Sequence, residues 1–408
     1  MTELEKINVD WHETMPPYAW DAILSKLHGH PLQSAKWGDS RKLSYGINDH
    51  RWIAFKNGSP VFIVRFEERR LFRFWKIAWA PKGPIILDKG YEKTLYKEFL
   101  SRLKKKGFFL CATNPWEKIE FIKKNSSAFY TIWLDLTIKK EKLWENLNKQ
   151  CRYDIKRAKK LGVVIETSTS FDDLNSFYNI CESISKTKGF DLGHSWQLMS
   201  NLLSNTEYDQ AVVPAEPFAM GESKAGESRF SPLWCERELI SRDASAQQAF
   251  PRPELVEGLA GIADDQVESS LFVARYKDTL CGGAFLVRCG ESAHYFWGAV
   301  NRKFSHLCIG EAIQWECIEW ALSKNCKKYD LEGLSPRKNS GVDQFKKKFG
   351  GSIVAYPAVQ IYPLHLGRKI ILSLGKIYLL LQPNINKYKK YFSVGGLLFF
   401  LKRSNMNS

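Results

Sequence analysis

Tyr329-Asp-Leu-Glu-Gly-Leu-Ser-Pro-Arg-Lys-Asn-Ser-Gly-Val-Asp-Gln-Phe-Lys-Lys-Lys-Phe-Gly-Gly351 sets a strand end, a loop and a run of three lysines between glycine punctuations. The strand, Lys328 to Leu331, ends in Asp330 and Gly333 and opens into a loop that leads to Phe345-Lys346. Such an arrangement brings cations and a tight backbone turn to a cleft. Upstream, Leu271–Tyr276, Gly282–Arg288 and Ala293–Ala299 carry the aromatic and β-branched content of strands, and Ile309–Lys324 reads as a long helix feeding the quoted segment. The first part of the chain has the same style. A helix over Trp11–Leu27 precedes strands at Trp52–Phe55, Pro60–Phe66 and Leu71–Trp79, then a helix at Tyr91–Lys106 and strands at Phe108–Ala112 and Thr131–Leu136. Each half therefore reads as helices, a strand meander, a central helix and closing strands, without a direct residue repeat.

Between the halves, Lys142–Leu161 reads as one helix. Trp144, Leu147, Cys151, Ile155 and Ala158 fall on one side, and Lys149, Arg152, Lys156 and Lys160 on the other. A strand at Val163–Thr167, a helix Phe171–Lys186 capped by Asp172 or Asp173, and a helix Ser195–Leu203 follow. From Val213 to Ser269 the period dissolves into Pro, Ala, Ser and Glu, which predicts a disordered insertion. Its part Phe250–Gly261 resembles peptides translated from palindromic repeats that have invaded bacterial reading frames. The closing segment, Arg368–Ser408, holds eight basic residues and no acid. Ile370–Leu381 is too short to span a bilayer, so an amphipathic interfacial helix is the expectation.

A chain of 408 residues exceeds what one core normally serves, so two domains are expected, 1–165 and 166–365, followed by a basic tail at 366–408. The formal charge of +16 points to nucleic acid, an anionic membrane surface or phosphorylated substrates. Nine scattered cysteines without C-x-x-C or histidine spacing predict reduced, buried thiols and no metal or other cofactor. Met1–Asp10 has no apolar run of the signal-peptide kind, and no window reaches about 18 apolar residues. A cytoplasmic protein, peripheral on the inner face of the plasma membrane, is expected.

Several segments together resemble one family. Thr131-Ile-Trp-Leu-Asp-Leu-Thr, Leu143-Trp-Glu-Asn-Leu, Arg152-Tyr-Asp-Ile-Lys-Arg-Ala-Lys-Lys-Leu-Gly-Val163 and Phe177-Tyr look like the first-half signature of the Fem-type (FemABX) peptidyltransferases. Ala293-His-Tyr-Phe-Trp-Gly-Ala, Gln314-Trp-Glu, Tyr329-Asp-Leu-Glu-Gly and Gly341–Gly351 are similar to the second half, in order. The resemblance implies an α+β fold of two tandem acetyltransferase-like (GNAT) domains, each a mixed, mostly antiparallel sheet flanked by helices, facing across a cleft. It implies transfer of an amino acid from aminoacyl-tRNA to an amino group of a peptidoglycan precursor's stem peptide, in nucleotide-linked or lipid-linked form. This is aminolysis of an ester, in which negative charge collects on the carbonyl oxygen.

By the same resemblance, Phe345 and Lys346 match a Phe-Lys pair at the acceptor end, with Lys346 serving the tRNA terminus and the developing charge. Trp37-Gly-Asp-Ser-Arg41 resembles a Trp-Gly-x-x-Lys pattern whose lysine meets the precursor's diphosphate. Here Arg41 stands at that position with Lys42 beside it, and arginine is a competent phosphate ligand. Tyr295 matches a cleft tyrosine. Arg152, Lys156 and Arg157 are expected to contact the tRNA backbone. Lys347 and Lys348 read as a solvated face. Asp330 is the nearest candidate for a general base, although an Asp closing a strand commonly structures its loop. The alternative function is a CoA-dependent N-acyltransferase acting on a sugar, polysaccharide or lipid precursor. Its pyrophosphate loop would lie at Leu307-Cys-Ile-Gly-Glu-Ala312, which keeps the glycine but lacks a leading Arg or Gln. A noncatalytic RNA or membrane adaptor on the same fold is a third reading.

Overall fold

A computed structural model of the chain describes residues 7–71, 74–117, 119, 129–204, 267–334 and 340–365. Two seven-stranded mixed sheets organise it. The first contains β1 (Asp10–His12), β2 (Asn48–Lys56), β3 (Ser59–Leu71), β4 (Trp75–Lys82), β5 (Ile85–Ile86), β6 (Phe108–Pro115) and β14 (Gln360–Pro363). The second runs in the order β13 (Ser352–Tyr356), β7 (Phe129–Asp135), β12 (Lys328–Asp330), β11 (Ser292–Val300), β10 (Thr279–Cys289), β9 (Glu268–Tyr276), β8 (Val164–Ser168).

The sheets share a plan. An antiparallel meander, β2-β3-β4 in one and β9-β10-β11 in the other, is followed by one parallel step. That step is made through α3 (Glu92–Lys105) between β4 and β6, and through α8 (Ile309–Ser323) between β11 and β12. Parallel neighbours need such a crossover, and here each helix supplies it. The sheets also exchange their closing strands. β7 follows β6 in the chain but pairs with β12 and β13, while β14 returns from the far end of the chain to pair with β6. The division between sheets thus falls between Pro115 and Phe129 rather than at residue 165. The cause is packing, since Ile132, Leu134 and Leu136 are buried with Leu286, Tyr329 and Phe349 of the second sheet.

The helices start and stop on local chemistry. α2 (Ala35–Tyr45) begins where Ser34 accepts a hydrogen bond from the Trp37 amide and ends on left-handed Gly46. The helix expected over Trp11–Leu27 is shorter, α1 (Pro17–Lys26), because Asp10–His12 joins β2 as an edge strand. The single helix expected over 142–161 is two, α4 (Lys140–Asn146) and α5 (Lys149–Lys160). Asn148 breaks them by leaving the helical region and capping Cys151 N. α6 (Phe171–Lys188) is capped by Ser170 rather than by Asp172 or Asp173, and α7 (Trp196–Leu203) by Ser195. α9 (Gly341–Lys347) is capped by Ser340. The disordered insertion expected at 213–269 and the amphipathic tail expected at 366–408 lie outside the described residues, apart from Val267, which is buried, and Glu268 and Ser269, which open β9.

One apolar cluster runs between the sheets. Trp20, Leu24 and Trp37 pack with Leu174, Phe177, Phe285 and Val287, and the Trp37 ring lies 5.2 Å from Phe296 and 6.2 Å from Trp297. This junction holds the ends of the two parallel strand pairs against each other. No helix among the described residues is long and apolar enough to cross a membrane.

Candidate active site

The two parallel strand pairs deliver their carboxyl ends to a common place. From the first sheet, β4 ends at Lys82, paired with Pro115, and Trp116 follows. From the second, β11 and β12 stay paired only from Ser292/Lys328 to His294/Asp330, after which β11 continues beside β10 without β12. Carboxyl ends of parallel strands, where neighbours part, leave a crevice into which following loops project. His30 enters it from the start of the short 3-10 turn Pro31–Gln33.

Asp330 organises the second sheet's side. Its Oδ1 accepts from the Thr131 hydroxyl and from the Glu332 amide at 2.7 Å, and its Oδ2 accepts from Trp133 Nε1 at 2.9 Å and from the Tyr356 hydroxyl. Burial, then the neighbouring Glu332 charge, push its pKa up, against those hydrogen bonds. With four donors on two oxygens it is a structural acceptor, and it fixes the turn at Glu332.

Glu332 carries φ +53°, the left-handed region that non-glycine residues rarely occupy. The Lys346 ammonium donates to the carbonyl oxygens of Glu332 and of Gly333, the latter at 2.7 Å. The carboxylate accepts from two imidazoles at one oxygen, Oε1, with His294 Nδ1 at 2.9 Å and His30 Nε2 at 3.2 Å. Burial pulls the Glu332 pKa upward. The His294 and His30 hydrogen bonds, with the Lys82 charge, outweigh that and hold it well below the carboxylate range. His30 is fully buried and, chiefly by desolvation, lowered to about 3, so its ring is neutral.

Two buried lysines face these carboxylates, Lys82 from the end of β4 and Lys346 from α9. Lys82, also left-handed at φ +58°, sets its ammonium 3.3 Å from the centre of the Tyr356 ring and 5.4 Å from that of Trp116. Lys346 is 7% exposed. Desolvation lowers both ammonium pKa values, against the attraction of Glu332 and Asp330.

Of the residues expected from sequence, the structure brings Lys346 into this centre. Phe345, next to it, lies against Gly310 at the start of α8, where an added Cβ would stand 3.3 Å from its ring, and 5.3 Å from Phe349. Tyr295 packs into the second core, and burial raises its pKa. Trp37 is at the junction, but Arg41 is engaged elsewhere. Its Nε donates to Glu67 at 3.0 Å, within a buried network that includes Arg65, Arg69, Asp49 and Arg51. Lys42 is exposed. Arg152 is turned to its own neighbourhood, donating to the carbonyls of Trp144, Glu145 and Leu147 that end α4. Lys156 stands over Trp144, and Arg157 is exposed. Lys347 is exposed as expected, but Lys348 is not a solvated lysine: it pairs with Glu311 at 2.6 Å and approaches Asp154 at 3.8 Å.

Sequence reading missed His30, Lys82, Trp116, His294 and Glu332 as site residues. Three signals were available. Lys82 sits in Pro81-Lys-Gly-Pro84 at a strand end, His294 is the lone polar residue within an apolar strand start, and Glu332 lies between Asp330 and Gly333.

Comparison with known proteins agrees with this architecture. The family model described as "FemAB family" matches residues 120–195 and 235–365, together half of the chain. Aminoacyltransferase FemA of Staphylococcus aureus is 30% identical over 91 residues, which is 21% of this chain and 21% of FemA, so the chain aligns with about a fifth of the length of that curated relative. The crystal structure of FemX superposes with a TM-score of 0.61 at 13% identity, covering 88% of this chain and 98% of FemX. A tandem GNAT protein from the clavulanic acid biosynthesis pathway superposes at 0.44 and 9% identity, over 88% of this chain and 99% of its own. The fold is that of FemX, and by the extent of the family match the chain belongs to the FemAB family.

Proposed function

We propose that this protein is an aminoacyltransferase that moves an amino acid from aminoacyl-tRNA to an amino group of a peptidoglycan precursor's stem peptide. The observation that carries the proposal is the family match, which extends through both sides of the second sheet and includes Asp330, Glu332, Phe345 and Lys346. The relative FemA, an aminoacyltransferase, supports the reaction class.

The site suits that chemistry. Attack of a neutral amine on an ester carbonyl builds charge on the carbonyl oxygen, and buried, oriented cations stabilise such charge strongly. Lys346 spends two donors on backbone carbonyls and keeps a third N–H for that oxygen or for the tRNA terminus. Lys82 faces it from the first sheet. We assign Phe345 to the wall of the acceptor-end pocket and Tyr295 to its lining. Lys42, beside the paired Arg41, is the free cation for a precursor diphosphate, with Trp37 holding the helix. Lys156 and Arg157 serve the tRNA backbone, while Arg152 supports the helix that carries them.

The CoA alternative meets a physical obstacle. Phe345 lies on Gly310, the glycine that would have to approach a pyrophosphate at the start of α8. The proposal extends to location, a cytoplasmic enzyme held peripherally on an anionic inner membrane by the basic residues after Arg368. Flotation with anionic liposomes tests this, and equal binding by full-length protein and protein truncated at Arg368 would remove it.

The decisive experiment is a reconstitution. Purified protein is mixed with precursor and either charged tRNA or acyl-CoA, and the mass added to the stem peptide is measured. One aminoacyl residue added from charged tRNA alone is expected. Transfer from CoA alone would overturn the reading.

A further inference from the structure

We propose that Glu332 is the proton acceptor for the attacking amine, acting through Oε2, and that His30 and His294 are positioning residues that hold it for this task. The inference rests on the acyl-transfer reading above and supplies the base which sequence reading did not find.

Glu332 is held at its amide, its carbonyl and one carboxylate oxygen. Its amide is pinned by Asp330, its carbonyl by Lys346, and Oε1 by two imidazole N–H groups, in a left-handed backbone conformation that non-glycine residues rarely adopt. Among the described residues no hydrogen bond reaches Oε2, while the side chain keeps 23% exposure. The other candidates are closed. Asp330 has both oxygens filled and is 2% exposed, and His30 and His294 are fully buried. Lys82 and Lys346 are the site's cations.

Hydrogen-bond geometry fixes the tautomers. His30 Nδ1 accepts from the Leu32 amide at 3.0 Å, so the proton of the neutral ring is on Nε2 and is donated to Glu332. His294 presents Nδ1–H to the same oxygen, which leaves its Nε2 as a buried atom without a partner. This argues against reading His30, His294 and Glu332 as a metal site, although their ligand atoms lie within 4.8 Å of one another. A metal-bound imidazole donates its second N–H outward, whereas His30 accepts there, and coordination through Nε2 would require an imidazolate.

The step balances. The amine nitrogen bonds to the ester carbonyl carbon, and its N–H proton passes to Glu332 Oε2. The carbon–oxygen bond to the ribose then breaks, and the proton goes to the departing hydroxyl oxygen. A carboxylate held ionised is a weak base for a free ammonium. It is matched to the more acidic N–H of the adduct formed on attack. The groups that face Glu332 are His30, Lys82, His294, Asp330, Lys346 and Tyr356, so its titration reports all of them.

The test uses the full-length protein with whichever acyl donor the reconstitution identifies. Glu332→Gln should lower kcat by about 10²–10⁴-fold. It should leave KM for the donor nearly unchanged and abolish the acid limb of the kcat–pH profile. His294→Ala, which removes an N–H donor, should move that limb to higher pH, and His294→Asn, which keeps an N–H at the Nδ1 position, should restore it. Independently of activity, ¹⁵N-histidine spectra should show His30 protonated on Nε2 and His294 on Nδ1. Retained turnover and an unchanged profile in Glu332→Gln would overturn the assignment. So would the opposite tautomers, or stoichiometric zinc lost in His294→Ala. Transfer from CoA alone would fell the proposed function, while the same pH profile with that donor would still support Glu332.

Discussion

At the scale of single residues, burial repeatedly outweighs charge attraction, and the outcome differs between two neighbouring carboxylates. Asp49 lies against Arg65 at 2.7 Å and Arg51 at 3.3 Å, yet burial raises its pKa to about 6 from the ordinary 3.8. Glu67 is as deeply buried but meets Arg69, Arg41 and Arg65, which together overcome burial and lower it to about 2 from 4.5. The signs follow from linkage. The folded state holds the Asp49 proton more tightly than the unfolded chain, so this group adds stability as pH falls from about 6 towards 3.8. Glu67 contributes above 4.5, and its contribution is lost as pH falls towards 2. Each difference corresponds to about 3 kcal/mol at full effect. Chemical denaturation of wild type and Asp49→Asn between pH 7 and pH 4.5 should therefore show a stability difference that grows in favour of wild type on acidification. A difference independent of pH would contradict the assignment.

Elements depend on close approaches that propensity alone does not reveal. Gly38 is inside α2, where replacement by alanine ordinarily adds up to about 1 kcal/mol. Here an added Cβ would stand 2.3 Å from Asp49 Oδ2 and 2.6 Å from Arg65 Nε, so the helix is seated directly on the ion network. Gly38→Ala should accordingly destabilise, by roughly 1–3 kcal/mol, and lower the melting temperature by a few degrees. A rise in melting temperature would show that the network yields. Gly351, at φ +84°, is the strand counterpart, since a Cβ there would stand 2.5 Å from the Trp133 carbonyl oxygen. Gly351, which closes the quoted stretch, thus serves the seating of β13 on β7.

For the whole molecule, the exchanged strands make the two sheets mutually dependent. β14 belongs to the first sheet but arrives only after the second is complete, and β7 leaves the first half to pair with β12 and β13. A fragment covering residues 1–165 should lack a cooperative unfolding transition, because β7 would expose Ile132 and Leu134 and β6 would lack one neighbour. Circular dichroism melts of the fragment and the full chain compare them. A sharp transition in the fragment would show that the first sheet closes alone.

The sequence by itself determined the elements and the family. Alternation and aromatic content marked the meanders, helical spacing marked α3, α5 and α8, and the order of motifs from Thr131 to Gly351 carried the resemblance. These signals are local, and they survive without knowledge of partners. Tertiary structure alone decided which sheet received β7, that Arg41, Arg152 and Lys348 are spent on internal partners, and that His30, Lys82, His294 and Glu332 meet. His30 and Glu332 are 302 positions apart and touch at 3.2 Å. Their meeting depends on two parallel strand pairs ending at one junction, a property of long-range packing that no local pattern encodes.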